Sequence, residues 1–495
     1  MDFKNAHDAS SEETPAKAGA IHLEDHHGHR LSKKEQVREV DAAIARSDIT
    51  LDSFAHLDIN KILRKIDLRL IPMLTLLYLL SFLDRGNIGN AKIEGLAEDL
   101  NLTGAEYNGC LTAFFFTYCA FEVPSNMLLK KLSPSIWLPS IMVAWGIVMT
   151  LMGIVQDYHG LLIARIFLGV AEAGLFPGVV YYNTMWYCRY EVQVRQAIFF
   201  SAASIASAFS GLLAYAVGAY FTLYDFPETA TFLTSEERAF VAFRLKYDGQ
   251  DAATDNSHRI AQSERRGWEP VKAAFKDWQI WINIIVYWGY VCPLYGISLL
   301  LPTIIKELGY KSTTAQLLTV PIYVVASVIT IAVAWYADRK RIRSPFIVIG
   351  LVFQLIGFIM CISSGNAGVT YAGVFIATCA IYQCQPSNVT WLSNNLAGSY
   401  KRAVGMGIQI SVGNLAGAMA SNFYRSEDSP RYILGHALEI GFIVAGLIAA
   451  AVLIMSYRTV NAKREQAVAN HEHNGYTLEE LSELGDKSIT FRYTL

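Results

Sequence analysis

Apolar runs of roughly twenty residues, the length that crosses a hydrocarbon core, recur between about Leu70 and Tyr457, separated by short clusters of Lys and Arg. Such a chain has few folding options. In a bilayer each backbone N–H and C=O must be satisfied within the protein, so the runs are expected to form helices. Composition agrees, with 53% hydrophobic and 17% charged residues. The charge collects at both ends, between Asp248 and Lys276, and in the short clusters. The fold class expected is an all-α polytopic membrane protein. A net charge of −2 gives no reason to expect a nucleic-acid partner. Cys110, Cys119, Cys292, Cys361, Cys379 and Cys384 lie in or beside apolar runs, where packing rather than disulfide formation is expected. His26, His27 and His29 sit in a polar, solvated first stretch, and the sequence implies no metal site and no cofactor.

Eleven spans can be drawn, at about Leu70–Asn90, Tyr107–Leu129, Ile136–Val155, Gly160–Tyr182, Arg195–Tyr220, Trp278–Ile304, Leu317–Tyr336, Pro345–Ser363, Val369–Trp391, Ala403–Phe423 and Gly435–Tyr457. They divide the chain into a disordered tail (1–58), an N-terminal bundle (59–221), a central loop (222–277), a C-terminal bundle (278–457) and a second tail (458–495). Both tails are expected in the cytoplasm. The clusters Lys130–Lys131, Arg189–Arg195, Asp338–Arg343, Lys401–Arg402 and Arg458–Arg464 alternate with loops poor in Lys and Arg, as cytoplasmic loops should. The fifth span breaks this parity. It should end outside near Tyr220, yet Arg265, Arg266, Lys272 and Lys276 precede the next span. No fresh run of about twenty apolar residues lies between to carry the chain back.

Ionised side chains inside a span cost about 2.5–3.5 kcal/mol each on insertion scales, so they persist mainly where they function. The first span, in Leu74–Lys92, carries Asp84 and Arg85 side by side. At 1.5 Å of rise per residue they lie about 5 Å to the outer side of its centre. In the fourth span, which runs inward, Arg165 falls about 8 Å outward of centre and Glu172 about 3 Å inward. Seven residues apart, Arg165 and Glu172 share a helix face. Two acids and two bases therefore occupy one central layer, and a buried ion-pair lattice that fixes helix packing is the alternative to a transport site. Tyr290 and Tyr295, Gln385 and Asn388, and Gln409 and Asn414 are further polar groups in the seventh, tenth and eleventh spans. Interhelical hydrogen bonding is the alternative role for each. The spacings Gly174–Gly178 and Gly413–Gly417 predict close helix contacts, and Pro177 predicts a kink in the fourth span.

The segments SFLDRGNIGNAK (Ser81–Lys92), FEVPSNMLLKKLSPSIWLP (Phe121–Pro139), RIFLGVAEAGLFPG (Arg165–Gly178), DFPETATFLTSEER (Asp225–Arg238) and WLSNNLAGSYKRAVGMG (Trp391–Gly407) resemble the major facilitator superfamily. Within it the likeness is to the fungal allantoate permease branch of the anion:cation symporters. The resemblance implies twelve helices in two six-helix bundles around a central cavity, and it places a sixth helix where Tyr215–Asp225 here joins the fifth span almost directly to DFPET. It implies that Arg85 binds a substrate carboxylate, that Asp84 and Glu172 carry protons, and that Arg165 holds Glu172. Tyr290, Asn388, Gln409 and Asn414 would complete the substrate site. ADRKRIR (Ala337–Arg343) resembles the superfamily's gating loop, with Asp338, Arg339 and Arg343 as its charges.

The function implied is proton-coupled uptake of a small organic anion by a monomeric plasma-membrane carrier. Its partners would be the anion, protons and the lipid bilayer. A non-transporting relative, a sensor or degenerate transporter, is the alternative that the missing helix supports. A membrane enzyme finds no nucleophile–base pair, metal cluster or phosphate loop in the chain.

Overall fold

The computed structural model describes residues 54, 56–93, 96–206, 226–230, 232–246, 268–307, 312–364, 366–424, 428, 431–470 and 475–495, and these are helical with no strand among them. Helix starts follow local chemistry. Asp58 Oδ1 accepts the Asn60 N–H at 2.9 Å where α1 (Ile59–Ile93) begins. Thr103 and Glu106 form a reciprocal capping box at the start of α2 (Gly104–Lys131), which satisfies orphan N–H groups of the first turn. Pro134 opens α3 (Pro134–Met152), where its missing N–H goes unmissed. Asp157 caps α4 (Tyr158–Glu172).

The fourth rod is two helices, α4 and α5 (Leu175–Thr184), and the break corrects the expected kink at Pro177. It falls at Gly174, whose φ of 94° is open to glycine at little cost, and a Cβ there would lie 1.9 Å from Ser125 Oγ of α2. Pro177 sits in the first turn of α5, where no N–H is needed. α6 (Val192–Ala206) follows. The remainder of the fifth span and the place of the absent sixth helix, residues 207–225, lie outside the described residues. Between the halves, α7 (Ser235–Lys246) and α8 (Trp268–Phe275) have 12 and 8 residues, too few to cross a bilayer.

The second half holds α9 (Trp278–Glu307), α10 (Ser312–Lys340), α11 (Ser344–Ser363), α12 (Ala367–Asn395), α13 (Ser399–Ala420) and α14 (Ile433–Ala469). Among the described residues, eight rods are long and apolar enough to cross a membrane by length and composition: α3, α4 with α5, and the six of the second half. With α1, α2 and α6, the described residues hold eleven rods at the positions of the eleven expected spans.

Within the first half α1 packs on α6, and α4 packs on α2 and α3; within the second, α9 packs on α12, α13 and α14, and α11 on α12 and α14. Two seams join the halves. α2 runs along α13, and α6 meets α10 and α12. Ile147, Phe167, Phe353 and Ile448 are exposed on the outside, whereas Asn283, Asn388 and Gln409 are fully buried. An apolar exterior around a polar interior suits a lipid surrounding. Past Tyr457, α14 continues to Ala469, and residues 475–495, including α15 (Leu478–Leu484), lie against the end where α12 stops and α13 starts.

Candidate functional site between the two halves

A narrow cleft lies between the halves, with room as it stands for little more than a water molecule. Its walls are Tyr78 and Phe82 of α1, Tyr118 of α2, Phe176 of α5, Phe200 of α6, Tyr287, Val291, Leu294 and Tyr295 of α9, Gln385 of α12 and Asn414 of α13. Seven helices and half-helices contribute aromatic rings or polar groups, so sliding of either half reshapes it. The rings interlock: Tyr78 lies 4.4 Å from Phe199, and Phe115 meets Tyr295 edge-on at 4.8 Å. Polar atoms converge on this apolar lining. Gln385 Nε2 donates to Tyr287 OH at 3.0 Å, and Tyr295 OH donates to Asn414 Oδ1 at 3.0 Å.

The ionisable layer flanks the cavity. Ser81, next to Phe82 on α1, donates its hydroxyl to Glu172 Oε1 at 2.6 Å, and Glu172 is 1% exposed. Arg165 is equally buried, and its charge acts on Tyr107 and Cys110 of α2. Tyr107 OH in turn donates to the Ile88 carbonyl of α1 at 3.3 Å. The α1 register between Ser81 and Ile88 thus meets α4 through Glu172 at one end and α2 through Tyr107 at the other. Positions 84 and 85 fall between them along α1, three and four residues from each. The side chains of Asp84 and Arg85 lie outside the described residues.

The second-half residues separate into two layers. Asn414 lines the cavity, as do Tyr295 and Gln385. Asn388 and Gln409 lie about one turn further toward the end carrying residues 475–495 and, with Tyr290, form a buried network around Asn283. Asn283 and Asn388 exchange amide hydrogen bonds at 3.1 Å, Asn388 Nδ2 donates to Tyr290 OH at 3.3 Å, and Gln409 Nε2 donates to Asn283 Oδ1. This network forms a polar floor. The glycines Gly413 and Gly417 do not bring two backbones together as their spacing suggested. A Cβ at either would lie 2.3 Å from a ring, that of Tyr287 or Phe115, so the stripe seats aromatics.

At the floor's far side the charged loop ties the halves together. Arg343, fully buried, pairs with Asp338 and donates to the Arg189 carbonyl at 3.0 Å. Asp338 Oδ2 accepts the Val194 N–H of α6, and Gln193 Nε2 donates to Ser387 Oγ of α12 at 2.7 Å. Arg339 takes no part in this joint; it is exposed and lies over the Trp335 ring. Residues 491–495 cover the joint, with Arg189 over the Phe491 ring and the Leu495 carbonyl accepting the Arg343 N–H.

Two fully buried acids within apolar spans escaped the sequence reading, Glu122 and Glu439 of α14. Glu122 of α2, fully buried, accepts a hydrogen bond from Asn414 Nδ2 at 3.1 Å across the seam. The signal was available, a single acid inside the apolar run CLTAFFFTYCAFEVP.

Residues 74–421 match the family model described as Major Facilitator Superfamily. The chain is 30% identical over 516 residues to the high-affinity nicotinic acid transporter of Saccharomyces cerevisiae, covering 98% of this chain and 95% of that protein. It is 34% identical over 477 residues to the MFS-type transporter cnsO of Penicillium expansum, with 88% and 90% covered. An uncharacterized transporter of Schizosaccharomyces pombe is 32% identical over 499 residues, with 94% and 97% covered. Among solved structures, the proton:xylose symporter XylE superposes with a TM-score of 0.56 at 14% identity, over 78% of this chain and 95% of that one. The human organic anion transporter MFSD10 does so at 0.53 and 12%, over 78% and 99%. These likenesses are of fold. With a family model spanning most of its length, and helices that cross a membrane many times, the chain belongs to the Major Facilitator Superfamily.

Proposed function

We propose that this transporter carries a small organic anion, an aromatic or other monocarboxylate, together with protons into the cell across the plasma membrane, with both tails in the cytoplasm. The observation that carries the reading is the fully buried pair of ionisable groups on α4, Arg165 and Glu172, beside a small aromatic cavity between the halves. Charges at that depth are costly unless substrate or protons use them. Arg85 anchors the carboxylate, since a guanidinium holds it through two parallel hydrogen bonds. Asp84 and Glu172 bind and release protons as access alternates, and Arg165 stabilises Glu172 when it is charged. The aromatic walls suit a planar ring, and Asn414 orients it, over the floor of Tyr290, Asn388 and Gln409. A relative at 30% identity that is a nicotinic acid transporter supports this substrate class, as do the motifs that resemble the allantoate permease branch.

Uptake of labelled nicotinate and of other monocarboxylates, compared in acidic and neutral medium with and without a proton ionophore, tests the reading. Acid-stimulated, ionophore-sensitive accumulation is expected, and Glu172→Gln should abolish it. If protein correctly placed in the membrane accumulates no monocarboxylate, the symport reading falls in favour of a non-transporting relative.

A further inference from the structure

We propose that Glu122 is a further proton-binding residue of the transport cycle, and that its proton switches the anion affinity of the cavity through Asn414 and Tyr295. The proposal deepens the symport reading above and rests on it. Glu122 lies on α2 in the first half, whereas Asn414 and Tyr295 belong to α13 and α9 of the second and line the cavity. A chain of two hydrogen bonds joins them: Tyr295 OH to Asn414 Oδ1 at 3.0 Å, and Asn414 Nδ2 to Glu122 Oε1 at 3.1 Å. All three side chains are at least nine-tenths buried.

The polarity of this chain depends on one proton. With Glu122 ionised, its carboxylate only accepts. Asn414 must then point its NH₂ at Glu122 and its carbonyl oxygen at Tyr295. That carbonyl takes the single O–H of Tyr295, so the tyrosine oxygen presents only lone pairs to the cavity, an arrangement that repels an anion. Once Glu122 is protonated, it has an O–H to donate. A half-turn of the Asn414 amide then places Oδ1 to accept from Glu122 and Nδ2 to donate to the Tyr295 oxygen. The Tyr295 O–H is released and turns into the cavity to donate to a carboxylate. No covalent bond changes apart from the one O–H formed on Glu122, and the bound proton also removes a negative charge from the cavity wall. Proton and anion therefore favour each other's binding, and by linkage the effect is reciprocal.

Other ionisable groups bear on Glu122 from its packing partners. α4 supplies Arg165 and Glu172, α5 supplies Tyr181 and Tyr182, and α2 itself supplies Tyr118 and Cys119. α9 supplies Tyr287, on which the Glu122 charge acts directly, and Tyr295. α3 carries none, and α13 carries only Tyr400, Lys401 and Arg402 in its first turn. Glu122 is thus the acid on the α2–α13 seam, separate from Glu172, which bonds to α1.

The test is the pH dependence of the apparent KM for labelled nicotinate in cells with verified membrane placement. In the parent, KM should rise on the order of tenfold from acidic to neutral medium, within the usual range for coupled sites. Gln at position 122 offers an N–H where the protonated acid offers O–H. Glu122→Gln should therefore hold KM near the parent's acidic value at both pH values and lose accumulation against a gradient, while Glu122→Asp should restore a pH-dependent KM. Tyr295→Phe keeps the acid but removes the released hydroxyl, so its KM should stay near the parent's neutral value at both pH values. This variant decides the question if Glu122→Gln fails to reach the membrane. A parental KM profile in Glu122→Gln, or in Tyr295→Phe, overturns the proposal while leaving proton symport standing. A parent with no acid-stimulated uptake overturns both.

Discussion

Asp338, at the end of α10, accepts the backbone N–H of Val194 in the first turn of α6 at 2.9 Å, and through this contact a side chain of the second half closes on a helix start of the first. Arg343 holds Asp338 in place from a fully buried position and also reaches the Arg189 carbonyl. The joint must part if the cavity is to open toward this end.

Removal of Arg343 strands Asp338 in that joint. Losing one partner of a buried pair costs about 3–5 kcal/mol. Arg343→Ala is therefore expected to melt several degrees lower in detergent and to open the joint more often. Cys188, the neighbour of Arg189, is partly exposed, while the other six cysteines are buried. Maleimide labelling of Cys188 should accelerate severalfold. Arg343→Lys should rescue little, because an ammonium cannot fork to two acceptors in the same plane. Unchanged labelling and melting would remove the joint from the gating account.

The final residues should matter to the same joint. Trp391 Nε1 and Asn395 Nδ2 donate to the Thr494 carbonyl at 2.9 and 3.1 Å, Asn395 Oδ1 accepts the Thr494 N–H, and Tyr493 stacks on Tyr457 at 4.7 Å. Lys401 bridges Asp486 and Asp277. Each buried polar group that loses its partner costs about 1–3 kcal/mol. Deleting residues 476–495 is expected to lower the melting temperature and to speed Cys188 labelling. A truncated protein that melts and labels like the parent would show that the segment bears no load.

Much of this was legible beforehand, and the misses share a cause. Span positions follow from run length and the placement of Lys and Arg, because the bilayer imposes both. Arg165 and Glu172 stood out as charges within apolar segments. Glu122 carries the same signal, yet its role depends on Asn414, 292 residues away. The break at Gly174 rather than Pro177 is likewise tertiary, since Ser125 of another helix occupies the space a side chain would need. The contacts of Tyr493 and Thr494 with Asn461 and Asn395 have no local pattern that periodicity can detect.

Gly174→Ala is a direct check on that break. The left-handed conformation costs an L-residue about 1–2 kcal/mol, and the new methyl would sit 1.9 Å from Ser125 Oγ. Thermal unfolding followed by fluorescence size-exclusion should show a clear loss of stability. Pro177→Ala, in the first turn of α5, should change stability by less than about 1 kcal/mol, because the first turn needs no proline to stay helical. The reverse order would restore the proline kink.

Acid should loosen the dock between α7 and the first turns of α1. Burial pushes the Glu237 carboxyl up, but hydrogen bonds from Lys65 and the Thr234 N–H, with the Lys65 charge, outweigh it and hold the group below its usual range. A carboxyl depressed in the folded state stabilises it above the unfolded value of about 4.3, and that contribution is lost as pH falls through the folded value. The parent should therefore lose melting temperature more steeply below about pH 4.3 than Glu237→Gln does. Parallel curves for the two proteins would exclude Glu237 as the source.

Gly413 sets the size of the cavity. A Cβ there would lie 2.3 Å from Cδ1 of Tyr287, whose ring lines the cavity and is held by Gln385. Gly413→Ala must displace that ring, and packing against α13 leaves the cavity as the yielding side. Once the halves part to admit substrate, the narrowed cavity should still take a short aliphatic carboxylate while crowding an aromatic one. The KM for nicotinate is expected to rise severalfold more than that for acetate, measured in cells with equal amounts of protein at the membrane. Gly417→Ala is the matched control. Its methyl meets Phe115 instead, a ring that backs Tyr295 without lining the cavity. It should lower stability with little change in the ratio of the two KM values. If Gly413→Ala leaves that ratio unchanged too, Tyr287 is not the wall that selects the anion.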